Sequence, residues 1–97
     1  MTYDLSALYG RIAKRKAERQ PGSYTTYLFD KGADTIMKKT GAIATEVVIA
    51  GKGGDKPETI YKIADLAFHI LALMAELGIT PEDVAAELES RRLEDRE

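Results

Sequence analysis

Titratable side chains stand where two helices should be dry. Glu46 lies inside Ala44-Thr45-Glu46-Val47-Val48-Ile49-Ala50. Asp65 and His69 lie inside Ile63-Ala64-Asp65-Leu66-Ala67-Phe68-His69-Ile70-Leu71. Residues four apart share a helix face, so Asp65 and His69 point the same way. Two apolar helices that each carry an acid on the inner side predict a polar site in a bundle core. His69 is expected to be a core histidine hydrogen-bonded to a neighbour rather than a catalytic base.

The elements that must position these groups are all helical. Leu5, Leu8, Tyr9, Ile12 and Ala13 repeat at three and four and predict a helix from Asp4 to about Glu18. Arg11, Lys14, Arg15 and Lys16 crowd its later half, either as a solvated face near a helix C-terminus or as a phosphate-facing one. Gln20-Pro21-Gly22-Ser23 is a break, followed by a short helical piece from Tyr24 to Asp30 that Gly32 ends. Ser23-Tyr24-Thr25-Thr26 reads as a cap and turn, with phosphate binding through its hydroxyls as the other option.

A long helix follows from about Ala33 to Gly51. Ile36, Met37, Thr40, Ala44, Val47 and Val48 are expected on its inner face. Gly41, in mid-helix, predicts a close helix approach or a ligand against the backbone. Asp55 and Pro57 then start a third long stretch that stops at Gly78. Its apolar residues cover more than one face, which predicts burial against another subunit. Thr80-Pro81-Glu82-Asp83 opens the last helix, and the tail from Leu93 is expected to fray. No strand pattern and no internal repeat occur.

Composition narrows the chemistry. The chain has 97 residues and reads as a single domain over 1–97. It has no cysteine, which excludes disulfides, thiol nucleophiles and thiolate metal sites. Its one histidine cannot build a multi-histidine zinc site. A net charge of −2 gives no general pull toward nucleic acid or a membrane surface. With no signal peptide or membrane span visible, a cytoplasmic location is expected.

Several strings, in this order and spacing, resemble the phosphoribosyl-ATP pyrophosphohydrolases of histidine biosynthesis. They are Gly22-Ser23-Tyr24-Thr25, Lys31-Gly32, Lys38-Lys39-Thr40-Gly41, Ala44 to Ala50, Ala64-Asp65-Leu66-Ala67-Phe68-His69, and Leu77-Gly78-Ile79-Thr80-Pro81-Glu82-Asp83-Val84 with Glu87-Leu88. The resemblance spans Leu5 to Arg92. It implies an all-α, four- to five-helix MazG-like bundle, an intertwined dimer or higher homo-oligomer. It implies Mg²⁺-dependent hydrolysis of phosphoribosyl-ATP to phosphoribosyl-AMP and pyrophosphate. Lys31, Lys38, Lys39 and Lys52 would meet the substrate's phosphates.

That family's chemistry rests on Glu-x-x-Glu on one helix and Glu-x-x-Asp on the next. Facing pairs bring four carboxylates together, and hard Mg²⁺ ions take such oxygen ligands. This chain departs from the pattern. Glu46 and Asp65 match the second acid of each pair, but Ile43 and Lys62 stand at the first positions, and Ala42 replaces a further glutamate. Lost ligands and an added ammonium predict little Mg²⁺ affinity and weak or absent hydrolysis. The alternative metal reading has Glu46, Asp65 and another acid such as Glu58 holding a shifted ion.

Lys62 itself has two readings. It pairs with Glu46 or Asp65 in place of the metal's charge. Or it lies in an apolar pocket, with a depressed pKa, as an amine nucleophile. A further alternative makes Ala42 and Ile43 an outward apolar face serving assembly. Changes concentrated at ligand positions fit an engineered or repurposed scaffold as well as a paralogue released from catalysis.

Overall fold

The computed structural model describes residues 4–93, which form five helices: α1 (Leu5–Ala17), α2 (Tyr24–Lys31), α3 (Ala33–Gly53), α4 (Lys56–Leu77) and α5 (Pro81–Leu93). No strand occurs among the described residues. The predicted all-α bundle is what the chain forms. α3 and α4 make an antiparallel hairpin, and α1 and α2 pack across it.

Local chemistry sets the boundaries. The Asp4 carboxylate accepts from the Ser6 N–H at 2.7 Å and starts α1. Ser23 Oγ accepts from the Thr26 N–H at 3.2 Å, while the Gln20 N–H donates to Thr26 Oγ1 at 2.9 Å. The Ser23–Thr26 run therefore acts as cap and turn, and these two hydroxyls are used within it. Asp55 caps α4 through the Glu58 N–H at 3.0 Å. Thr80 and Asp83 bond to each other's backbone N–H groups, a reciprocal cap on α5. Gly54 at φ 77° and Gly78 at φ 73° end α3 and α4 in the left-handed region that glycine enters without a Cβ penalty. α3 runs two residues past the expected Gly51, because Lys52 and Gly53 keep helical geometry before Gly54 turns the chain.

The core lies where α1, α2, the start of α3 and the C-terminal half of α4 meet. Ile12, Leu28, Phe29, Ile36, Leu71, Ala72 and Ala75 fill it, with Leu8, Tyr9, Phe68 and Met74 packed around them. Lys16 Nζ donates to the Ala75 carbonyl at 3.2 Å and pairs with the Glu76 carboxylate at 3.3 Å. This basic residue of α1 thus serves the last carbonyls of α4 rather than a phosphate. The Tyr9 hydroxyl donates to the Ile79 carbonyl at 2.9 Å and ties α1 to the turn before α5.

Two expectations about packing change. Met37 and Val48, predicted on the inner face of α3, are exposed. α3 buries only Ile36 and Ile43, and Met37 and Val48 lie off the side that these two share. A Cβ on Gly41 would meet no atom within 4 Å, so no close helix approach requires the glycine. Gly41→Ala should then stabilise the chain by about 0.5–1 kcal/mol through helix propensity. Urea denaturation measures this. A loss of stability would show that something else in solution occupies that face.

Candidate active site

The centre of the α3–α4 hairpin opens into a cleft of about 400 Å³, lined by Tyr24, Lys39, Ala42, Ile43, Glu46, Asp65 and His69. Register explains the grouping. Lys39, Ala42, Ile43 and Glu46 recur at three and four along α3, and Asp65 and His69 along α4. The Ser23 cap sets α2 so that Tyr24, its first residue, leans over the opening.

Glu46 and Asp65 line this cleft, and Lys62 reaches Glu46 beside it. Lys62 Nζ donates to Glu46 Oε1 at 2.7 Å and lies 3.9 Å from Glu58 Oε1. The Lys62 side chain is 25% exposed. Its pKa is raised, first by the hydrogen bond to Glu46, then by the charges of Glu46, Glu58 and Asp65. The amine-nucleophile reading of Lys62 is therefore corrected. Its neighbours are carboxylates, which favour the ammonium, and an ammonium has no free electron pair for a carbonyl. The ion-pair reading holds, with Glu46 as partner.

Ile43 is 8% exposed and points into the hairpin. It does not build the outward face considered from the sequence; Ala42 alone of the two is exposed. The stretch between α3 and α4 that would collect carboxylates is instead apolar at Ile43 and cationic at Lys62.

His69 is 3% exposed and fully hydrogen-bonded. Its Nδ1 faces the Asp65 carbonyl at 2.8 Å and Asp65 Oδ1 at 3.2 Å. Two oxygens there place a hydrogen on Nδ1. Nε2 and the Tyr24 hydroxyl share a hydrogen bond at 2.8 Å. This is the core histidine expected, and its partners anchor Tyr24. Burial raises the Tyr24 pKa, and the Asp65 charge and Tyr27 add to the rise.

The phosphate-facing lysines divide. Lys39 lines the cleft, and its Nζ sits 5.7 Å from the Tyr27 ring centroid. Lys31 Nζ sits 5.9 Å from the same ring. Lys38 and Lys52 are exposed and do not line the cleft. Tyr24 was named from the sequence only within the Ser23–Thr26 run, and Tyr27 was not singled out. Their spacing with Lys31, at i, i+3 and i+7 along α2, was the available signal.

A divalent cation does not fit these residues. Glu46 is engaged by an ammonium, Asp65 faces the imidazole, and the remaining wall at Ala42 and Ile43 offers no oxygen. Among the described residues no group of three or more acid or histidine side chains is placed to hold a metal, so the shifted site with Glu58 does not form.

The family model for phosphoribosyl-ATP pyrophosphohydrolase matches residues 5–92. The chain belongs to the phosphoribosyl-ATP pyrophosphohydrolase family. It is 51% identical over 87 residues to the phosphoribosyl-ATP pyrophosphatase of Lacticaseibacillus casei, covering 90% of this chain and 79% of that protein. It is 48% identical over 88 residues to the Streptococcus thermophilus phosphoribosyl-ATP pyrophosphatase, covering 91% and 85%. It is 51% identical over 87 residues to the histidine biosynthesis bifunctional protein HisIE of Caldanaerobacter subterraneus, covering 90% of this chain and 42% of that protein. The resemblance seen in the sequence thus holds across nearly the whole chain. No single helix of the described residues is long and apolar enough to cross a membrane.

Proposed function

We propose that this chain keeps the scaffold and the nucleotide-binding face of a phosphoribosyl-ATP pyrophosphohydrolase, with hydrolysis weak or lost. The observation that carries this is the 2.7 Å contact between Lys62 Nζ and Glu46 Oε1. It puts a fixed internal cation beside an acid that the family pattern assigns to Mg²⁺. The family names and the identity near one half support phosphoribosyl-ATP as the ligand, in histidine biosynthesis and in the cytoplasm. Lys39 at the cleft supports phosphate binding. The deciding experiment is pyrophosphate release from phosphoribosyl-ATP with Mg²⁺, comparing this chain with Ala42→Glu/Ile43→Glu/Lys62→Glu.

The same reading includes self-association. Val48 and Ile49 on α3, with Ile60, Ile63 and Ile70 on α4, are exposed large apolar residues. The α4 set recurs at helical spacing, so it forms a stripe suited to a second copy of the hairpin. Sedimentation velocity is expected to give a dimer or larger. A monomer at tens of micromolar would remove this part of the proposal.

A further inference from the structure

α2 carries two exposed aromatic rings beside the site. Tyr24 and Tyr27 are 47% and 41% exposed, yet their rings stack at 5.9 Å between centroids with a 24° interplanar angle. α2 buries Thr26, Leu28 and Phe29, and Tyr27 is neither among the side chains that fill the core nor among those packed against it. Tyr24 is held in place by its bond to His69 and by edge contact with the His69 ring at 5.6 Å. Tyr27 has two ammonium groups beside it, Lys31 from its own helix and Lys39 from α3. Tyr24 also borders both the site cleft and a second one of about 480 Å³ that Tyr27 and Asp30 line. Tyr24 thus joins the two openings, and Lys39 lies over the Tyr27 ring and on the wall of the site cleft.

We propose that Tyr24 and Tyr27 form the shelf on which the aromatic base of a nucleotide stacks, while Lys31 and Lys39 receive its phosphate. The inference rests on the nucleotide-binding reading above and adds the residues that select for a base. An exposed aromatic ring binds a base with little dependence on hydrogen-bond pattern, and the ammonium groups over the Tyr27 ring favour the charged half of the same ligand. The His69 bond fixes the Tyr24 ring before binding, so little side-chain freedom is lost on stacking.

Isothermal titration calorimetry in the presence of a chelator tests this with AMP, ribose 5-phosphate and pyrophosphate as probes. AMP is expected to bind the parent more tightly than ribose 5-phosphate. Tyr27→Leu should weaken AMP by roughly tenfold or more, the scale of losing one stacked base, and leave ribose 5-phosphate and pyrophosphate unchanged. Tyr27→Phe should keep AMP affinity. Sedimentation of each variant is measured alongside. Equal affinity of the parent for AMP and ribose 5-phosphate, equal losses for all probes in Tyr27→Leu, or a changed oligomeric mass would each overturn the shelf. None of these readouts requires turnover, so a failure here is separate from a silent acid-restored enzyme.

Discussion

The acid-restored chain, Ala42→Glu/Ile43→Glu/Lys62→Glu, is expected to release pyrophosphate from phosphoribosyl-ATP at least ~100-fold faster than the parent in Mg²⁺. Changes to groups that only support metal ligands already cost 10- to 100-fold, and here ligand positions themselves are altered. The geometry is favourable. Position 43 lies three residues before Glu46, and position 62 three before Asp65, so the new carboxylates return to the faces that already meet across the hairpin. Removing the Lys62 ammonium frees Glu46 Oε1 at the same time. A glutamate at the buried Ile43 position costs stability until a cation neutralises it. Mg²⁺ should therefore raise the melting temperature of the restored chain and leave the parent's unchanged. Activity in the parent equal to that of the restored chain would defeat the proposed loss. A folded but silent restored chain would remove the family reaction from this scaffold.

The second large effect concerns the core. Leu28 and Ile36 are the two large side chains with no exposed surface, and they sit where α2 meets the start of α3. Truncating either to alanine is expected to cost about 2–5 kcal/mol, transfer loss plus the cavity left behind. Small domains have only about 5–15 kcal/mol in total. At about 4–8 °C per kcal/mol for a chain of this size, each variant should melt at least about 8 °C lower. Circular dichroism melts read this directly, with exposed Lys38→Ala as the reference. A shift no larger than the reference's would mean that the bundle is held together elsewhere, with the α4 stripe between subunits as the first alternative.

The helices were legible because their signals are local. Ser23, Asp55 and Thr80 are caps whose side chains reach a backbone N–H three residues on, and Gly54 and Gly78 allow the left-handed turns that stop a helix. Spacing placed Glu46, Asp65 and His69 on inward faces, since helical register needs no knowledge of the partner. The family resemblance was legible for the same reason: it is carried by short strings in a fixed order. The chain's departures at Ala42, Ile43 and Lys62 could be seen there, and so could the weakening of a metal site.

What the sequence could not decide was which neighbours those residues meet. Lys62 could be read as an amine in an apolar pocket or as an ion-pair partner, because apolar residues flank it along the chain. Only the crossing of α3 and α4 puts Glu46 within 2.7 Å, and that contact raises its pKa. Gly41 looked like a point of close approach, but no atom of another element lies within 4 Å of where its Cβ would stand. Ile43 looked able to face outward, and the hairpin buries it. Tyr24 joined the site through His69, a residue 45 positions away. Periodicity along one helix fixes a face; the charge, burial and hydrogen-bond partners of that face come from the helix packed against it.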